Sequence, residues 1–391
     1  MKTSSERRRL AGIPAVAALT AACTALHAGA SPAAASPRAV PTLACTTLPI
    51  ATPGGGTSGQ RARQDMAPVL GGLGDIATRS SSSAWAVGSS MRTPSPERAL
   101  VAHWNGAVWR TLSSRALPPS SWLGALALFP GGAWAVGESG MAEHGRVSRE
   151  LIVRLAGTTV QRVQVLGSAE SSLGDVAATS AADAWAVGAT FNIPLILHWN
   201  GTAWTRAPLP ATVGSGAFAG VAATSRTNAW AVMDPDVWGN RPQIVHWNGR
   251  RWGDVVSPAI GMSYELLDVA ATSATNAWAV GTTGSAAVIL HWNGRGWTCA
   301  LSPKTARDFP RLLAVSASSA DNAWAVGLSL TGTLALRWNG RTWKQVMTPR
   351  PGLDWSLHGV AIIPRSGHAW AVGQTTDRRT LMLYWNGTAW H

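Results

Sequence analysis

Residues 276–297 read NAWAVGTTGSAAVILHWNGRGW, and the chain repeats this phrase seven times with variations. An Ala-Trp pair followed by Ala-Val recurs at intervals of 49, 51, 45, 48, 46 and 46 residues. The tryptophans of these pairs are Trp85, Trp134, Trp185, Trp230, Trp278, Trp324 and Trp370. A period of this length is typical of four-stranded propeller blades or of helical arrays. The copies are rich in Val, Trp, Thr and Gly and lack a 3.6-residue apolar period, which favours the propeller.

Each copy contains four strand-like segments in a fixed order, and an Asn-Gly pair separates the third from the fourth. Asn-Gly between apolar segments predicts a hairpin with a type I′ turn, which needs positive φ at both central residues. The pair follows Trp104, Trp199, Trp247, Trp292, Trp338 and Trp385. The second copy has Leu155-Ala156-Gly157 instead and Val160 in place of the later tryptophan, so we interpret it as a degenerate blade.

The repeat occupies residues 70–391, which indicates one large domain although the chain of 391 residues is long enough for two or three. We therefore predict an all-β fold, a seven-bladed β-propeller of four-stranded antiparallel blades. Nineteen of the 22 tryptophans stand at three repeated positions, where wide apolar rings are expected to pack between neighbouring blades.

Residues 1–30 have the layout of a secretory signal peptide. Lys2 and the arginines at 7–9 precede an apolar stretch at 13–26 and the small residues at 28–30. This pattern predicts a secreted, extracellular protein. The apolar stretch is short for a membrane span and nothing later reaches 18 apolar residues, so no transmembrane anchor is predicted.

Residues 31–69 form a leader with two predicted parts. Residues 43–50 align with the fourth strand of other copies, and the last copy stops just after Trp390, so this segment is predicted to complete the last blade and close the ring. The alternative is a disordered leader. Residues 51–67 form a Gly-rich linker. Cys45 and Cys299 are a candidate disulfide. The same alignment places them on outer strands of different blades, which argues against assuming this bond, because Cα atoms more than about 7 Å apart cannot be bridged without backbone movement.

The Asp/Asn-Ala-Trp-Ala-Val-Gly and His-Trp-Asn-Gly-x-x-Trp phrases resemble secreted bacterial β-propellers similar to the kelch and Asp-box types. The resemblance covers about 320 residues. It implies the fold only, because propellers carry many functions. The Asp-box motif itself is missing, and the kelch Gly-Gly doublet precedes the first repeated tryptophan only at Gly131-Gly132.

The loops on one face of the predicted disc vary between copies, which is the usual layout of a binding surface. Aromatic rings and arginines in these loops suit a glycan, a cell-wall polymer or a protein partner. The candidate binding residues are Trp122, Trp238, Tyr264, Phe309, Trp355, Arg241 and Arg311. The alternative is that the rings only cap the core. We expect a monomer that binds without catalysing a reaction.

The formal net charge of +13 suits anionic partners. However, the charges are scattered singly along the sequence, which is typical of a solvated surface, and no nucleic-acid partner is predicted.

No cofactor is predicted. Asp75, Asp175 and Asp268 recur before the inner-strand aliphatic residue in alternate copies and are a weak candidate for a channel cation site. A role in the turn into that strand is the alternative. An extracellular carbohydrate hydrolase or lyase is the alternative function, and it would use loop acids near the channel mouth. These acids are Glu138, Glu143, Glu150, Asp234, Asp236, Glu265, Asp308 and Asp354.

Overall fold

A computed structural model describes most of the repeat region as seven separate antiparallel sheets. The described residues are 70–92, 95–112, 116–140, 148–157, 159–167, 170–235, 242–260, 264–300, 309–349 and 355–391. They contain 27 strands and no α-helix. Each sheet is one copy of the repeat, with its strands in chain order from the first strand to the last. The predicted seven-bladed all-β fold is confirmed.

The strands of each blade are numbered in chain order. Blades 1 and 2 contain β1 (Gly71–Ser80), β2 (Ser83–Arg92), β3 (Ser95–Trp104), β4 (Trp109–Thr111), β5 (Ser121–Phe129), β6 (Gly132–Ser139), β7 (Arg149–Ala156) and β8 (Thr159–Val165). Blades 3 and 4 contain β9 (Ser171–Ser180), β10 (Asp183–Thr190), β11 (Ile193–Trp199), β12 (Trp204–Arg206), β13 (Gly216–Ser225), β14 (Asn228–Pro235), β15 (Gln243–Trp247) and β16 (Trp252–Val255). Blades 5 to 7 contain β17 (Glu265–Ser273), β18 (Asn276–Thr282), β19 (Ala287–Trp292), β20 (Trp297–Cys299), β21 (Arg311–Ser319), β22 (Asn322–Ser329), β23 (Gly332–Trp338), β24 (Trp343–Gln345), β25 (Ser356–Ile362), β26 (Ala369–Gln374) and β27 (Thr380–Trp385).

The Asn-Gly hairpins have longer loops than the sequence indicated. In blade 3, Trp199 pairs with Trp204, so four residues form the loop. Gly201 has a φ of 99°, whereas Asn200 is not among the residues with positive φ. Its side-chain Oδ1 instead accepts hydrogen bonds from the amides of Thr202 and Ala203, both at 3.0 Å. The predicted type I′ turn is therefore wrong, because asparagine acts here through its side chain rather than through a left-handed backbone.

The glycine that ends each Ala-Trp-Ala-Val-Gly phrase lies against the first strand of its blade. In blade 5 a Cβ at Gly281 would lie 1.9 Å from the carbonyl oxygen of Glu265. The first strand has a β-bulge at this level, between Leu266 and Asp268. Only a residue without a side chain allows the two backbones to approach this closely.

The repeated tryptophans fill the space between neighbouring blades, as the sequence predicted. Trp278 of blade 5 lies 5.0 Å from Trp338 and 5.2 Å from Trp343 of blade 6, measured between ring centroids. The same contact closes the ring, because Trp370 of blade 7 lies 5.5 Å from Trp104 and 5.4 Å from Trp109 of blade 1. Offset and edge-to-face pairs of this kind add to the stability from burial alone.

The degenerate second blade has aliphatic residues at this interface. Trp85 of blade 1 packs in one cluster with Leu155 and Val160, which replace the two later tryptophans. Leu155 is completely buried. The junction therefore keeps an apolar core, but with smaller side chains. The second copy can thus form a blade of normal length without the tryptophan motif.

The last blade contains three named strands and a short fourth segment. Trp390 forms an isolated bridge with Trp385, and Tyr384 and His391 exchange two backbone hydrogen bonds of 3.0 Å. Residues 43–50, predicted to complete this blade, lie outside the described residues. So do the predicted signal peptide at 1–30 and the remaining leader. Among the described residues, no helix is long and apolar enough to cross a membrane.

Cys299 is disulfide-bonded, and its partner lies outside the described residues. The argument against assuming a Cys45–Cys299 pair rested on placing residues 43–50 in another blade, and those residues lie outside the described part of the chain.

Candidate functional site

The disc has two faces with different connections. The turn face consists of the residues that join the first strand to the second and the third to the fourth, such as 274–275 and 293–296 in blade 5. The two turns touch, since the Trp292 indole donates a hydrogen bond of 3.0 Å to the Ala274 carbonyl. The loop face consists of the connections between second and third strands and those between blades.

An axial cavity of about 210 Å³ runs between the first strands of the blades. One wall position is the bulged residue of each first strand, because a bulge redirects its side chain. These residues are Gly74, Gly124, Gly174, Ala219, Leu267, Leu313 and His358. The residues at this wall position are small in blades 1 to 4 and larger in blades 5 to 7. The sequence predictions did not include this difference in side-chain size, although an alignment of the seven copies contains it.

Three aspartates of the cavity join pairs of neighbouring blades. The Asp175 carboxylate accepts a 2.7 Å hydrogen bond from the amide of Val176 in its own strand. Its other oxygen accepts one of 2.7 Å from the amide of Val221 in blade 4. Asp75 makes the same pair of contacts to Ile76 and Leu126, and Asp268 to Val269 and Val315.

Burial changes the proton affinity of these carboxyls. It raises the pKa of Asp75 and of Asp268 to about 7, although two amide hydrogen bonds act in the opposite direction on each. It also raises the pKa of Asp175 well above its ordinary value, and the neighbouring Asp268 adds to that increase. The group can thus take up protons near neutral pH.

The described residues include no group of three or more His, Cys, Asp or Glu that could hold a metal ion. Both oxygens of each channel aspartate are already used by backbone amides. The arrangement suits the structural alternative better than the weak metal candidate, because each carboxyl joins two blades.

Four of the predicted binding residues lie at the loop-face end of the first strands. Trp122 is half-buried and packs against Gly124, where a Cβ would meet its ring at 2.5 Å. Phe309 is 59% exposed and has a φ of 43°. Trp355 is half-buried and packs on the core between blades 6 and 7. Tyr264 is only 2% exposed and donates a hydrogen bond of 2.8 Å to the Pro258 carbonyl, so its ring is part of the core.

A charged group next to Phe309 connects blades 4, 5 and 6. Arg311 forms an ion pair of 2.8 Å with Glu265, and both side chains are partly exposed. Asp234 lies near both charges. Burial and the neighbouring Glu265 raise its pKa to about 6, while Arg311 acts to lower it. The structure therefore brings two predicted loop acids together, which the sequence order did not show.

Trp238 and Arg241 lie outside the described residues. The strands on either side of them border a second loop-face cavity of about 430 Å³ in blade 4, whose wall includes Met233, Gln243 and Val256. Val256 is 87% exposed, so the cavity has an apolar rim.

The histidines that precede the repeated tryptophan have structural partners. His198 stacks on Trp185 at 4.1 Å and pairs with Asp183 at 2.9 Å. His246 and His291 bond in the same way to Asn228 and Asn276. Each histidine thus links the second and third strands of its own blade, and burial lowers the pKa of His246 and His291.

Comparison with known proteins supports the fold. No protein-family model and no curated protein matches the sequence. Among solved structures, the chain is similar to YCF48 bound to D1 peptide, with a TM-score of 0.54, 14% identity, and coverage of 81% of this chain and 92% of that one.

The chain is also similar to the β-propeller domain of the Trilobed protease from Pyrococcus furiosus, with a TM-score of 0.53, 11% identity, and coverage of 81% and 95%. For U3-55K the TM-score is 0.56 and the identity 10%, with coverage of 82% and 97%. At these identities the similarity shows the β-propeller fold alone.

Proposed function

We propose that the protein is an exported binding propeller that holds a segment of a partner protein against the loop face at the mouth of the axial cavity. The observation that carries this proposal is the exposed Phe309 beside the Arg311–Glu265 ion pair, which spans two blades. Aromatic rings and arginines contribute much of the energy of protein interfaces. The ion pair also holds Arg311 in place before a partner arrives, which lowers the entropy cost of binding.

The shape of the cavity mouth supports a narrow ligand. The Trp122 ring lies directly against Gly124 of the cavity wall, where a Cβ would meet it at 2.5 Å. In the proposed complex a side chain of the partner contacts this ring while its backbone lies across Phe309. A structure of similar fold, YCF48, is described as bound to a D1 peptide, and that precedent supports a peptide ligand for this chain. Export is proposed on the signal-like pattern of residues 1–30.

A peptide-display selection against the purified protein tests the proposal. Peptides selected by the protein should lose at least about tenfold in affinity for Phe309→Ala and for Trp122→Ala, as is usual for aromatic anchors. Phe191→Ala is the matched control, since Phe191 is 56% exposed on the loop face but lies in blade 3 between the second and third strands, away from the axis. Equal loss in the control, or selection of glycans and no peptides on a parallel array, would refute a peptide site at the mouth.

Cleavage of a polysaccharide is a second candidate function. It is favoured by Asp234, whose pKa is raised to about 6 beside the Glu265 carboxylate. A protonated carboxyl next to an ionised one can supply the acid and the base of glycoside cleavage. Release of reducing ends from a polysaccharide, abolished by Asp234→Asn, would establish this function. Unchanged release in that variant would exclude these two acids.

A further inference from the structure

The charges of the described residues are distributed unequally between the two faces. The turn face carries seven exposed arginines, and its one exposed acid is Asp321. The arginines are Arg79, Arg226, Arg250, Arg251, Arg295, Arg341 and Arg365. The described loop face carries both signs. Its acids include Glu97, Glu138, Glu150, Glu170, Asp234, Asp254, Glu265 and Asp377, and its arginines include Arg149, Arg311, Arg378 and Arg379. The positive charges of the turn face thus stand almost without described acids, whereas those of the loop face are mixed with acids.

Three of these arginines occupy the same turn position in three consecutive blades. Arg250, Arg295 and Arg341 each follow the glycine of a Trp-Asn-Gly-Arg turn in blades 4, 5 and 6. The other described blades have Ala107, Thr202 or Thr388 at this position. Because neighbouring blades are adjacent around the axis, the three arginines form an arc along one side of the turn face. We call this set the arginine arc.

The backbone of each arc residue is fixed by the preceding asparagine. Asn248 Oδ1 accepts a hydrogen bond from the Arg250 amide at 3.0 Å, Asn293 Oδ1 one from the Arg295 amide at 2.9 Å, and Asn339 Oδ1 one from the Arg341 amide at 3.0 Å. None of the three guanidinium groups forms an ion pair with a described acid. The arc therefore presents three positive charges from rigid turns with their side chains available to solvent.

A half-buried indole lies beside each arginine of the arc. Trp247, Trp292 and Trp338 are the residues three positions earlier, and each packs one side on a tryptophan of the preceding blade at 4.8–5.0 Å. Each indole N–H is already used by a carbonyl of the neighbouring turn. Each ring also lies 5.9–6.0 Å from the tryptophan of its own fourth strand, so only a part of it is open to a ligand. That part is apolar and suits the C–H groups of a sugar. Arginine provides a planar fork for a carboxylate or sulfate.

We infer that the arginine arc binds an acidic polysaccharide that lies across blades 4, 5 and 6. Each of these blades offers one guanidinium for an anionic group and one partly exposed indole for a sugar ring. The opposite face is used by the function proposed above, so both ligands can be bound at once. This second surface does not depend on the peptide site.

Binding of polygalacturonate to the purified protein, measured by biolayer interferometry at low and at physiological salt, tests the inference. The arc variant carries Arg250→Gln, Arg295→Gln and Arg341→Gln. The matched control removes three exposed loop-face charges by Arg149→Gln, Arg378→Gln and Arg379→Gln, so both variants have the same net charge. Thermal melting of both shows whether the fold is retained.

The expected result is an affinity about tenfold lower for the arc variant, which is the summed effect of three exposed ion pairs. The control should retain the affinity of the parent protein, and binding should weaken as salt rises. Equal loss in both variants would mean that net charge alone attracts the polymer and would overturn the site. Absence of binding by the parent protein, or equally tight binding of polyphosphate or of neutral dextran, would overturn the assignment to an acidic polysaccharide.

Discussion

The Asp75 carboxylate of blade 1 accepts a hydrogen bond of 2.9 Å from the Leu126 amide of blade 2. The contact crosses a blade junction inside the axial cavity, where burial raises the pKa of Asp75 to about 7. Asp268 makes the equivalent contact between blades 5 and 6 and has a similarly raised pKa. The junctions are therefore sensitive to the protonation of a few buried carboxyls.

Stability should decrease as pH rises from about 4 to about 7. In this window the folded protein keeps protons on Asp75 and Asp268 that the unfolded chain, with ordinary pKa values near 3.8, has released. The unfolded state binds fewer protons, so the free energy of unfolding falls with increasing pH. A carboxyl whose pKa rises by about three units contributes up to about 4 kcal/mol over the window. Denaturant unfolding at several pH values measures the slope.

The Asp75→Asn variant isolates one of these groups. It cannot ionise, and its amide nitrogen cannot accept the Leu126 N–H, so it should be less stable than the parent at pH 4. Its deficit should shrink towards pH 7, because only the parent loses the contribution of Asp75 there, while the contribution of Asp268 falls equally in both proteins. A deficit that grows with pH would mean that the two amide hydrogen bonds keep Asp75 ionised in the folded state.

Gly281→Ala should destabilise the protein by several kcal/mol. The added Cβ would lie 1.9 Å from the Glu265 carbonyl oxygen, so the first two strands of blade 5 would have to separate. Gly296→Ala is the matched control in the same blade, because its Cβ would meet nothing within 4 Å. Thermal melting of the two variants should differ clearly. Similar melting temperatures would contradict the close approach of the strands.

Trp278→Ala should cost about 3–5 kcal/mol, as expected for truncation of a fully buried aromatic ring. The ring is 1% exposed and contacts His291 of its own blade and two tryptophans of blade 6. Phe191→Ala, at a 56% exposed ring, should change the free energy of unfolding by less than about 0.5 kcal/mol. Chemical denaturation of both variants provides the comparison, and a small effect at Trp278 would argue against the inter-blade core.

Peptide mapping without reduction should find Cys299 linked to Cys45. Cys299 is disulfide-bonded, and the sequence has two other cysteines, of which Cys23 falls within the predicted signal peptide. A bond to Cys45 would fix that residue beside blade 5, because bridged Cα atoms lie within about 7 Å. Residues 43–50 would then not form the outer strand of blade 7. A linked Cys23 peptide would show instead that residues 1–30 remain in the protein.

The sequence predicted the fold well because the same physical requirement recurs in every blade. A buried ring such as Trp278 and a close-packed glycine such as Gly281 are needed in each blade. The same residue types therefore recur in the sequence at a regular interval. Hairpin details were predicted less well. Asn200 stabilises its turn by accepting two amides, and composition alone does not distinguish that from a left-handed backbone.

The candidate site was predicted only in part, because loops do not repeat. Phe309 is exposed as expected, but Tyr264 is buried, and sequence gives no measure of how far a loop folds back on the core. The group of Asp234, Glu265 and Arg311 draws on three blades and so has no signature in sequence order. The arginine arc has a sequence signature, which is the Trp-Asn-Gly-Arg phrase in three consecutive copies. The phrase indicates a surface only once it is known that these turns lie on the same face of neighbouring blades.

The carboxyl contacts described above occur from blade 1 to 2, from 3 to 4 and from 5 to 6, and seven is an odd number. Blade 7 has Gly359 at the equivalent position and meets blade 1 through a hydrogen bond of 3.1 Å between His358 Nδ1 and the Leu73 carbonyl. Three pairs of blades are thus joined by a carboxyl, while the junctions from blade 2 to 3, 4 to 5, 6 to 7 and 7 to 1 have no such contact among the described residues. Mechanical opening of the circle should begin at one of these four junctions.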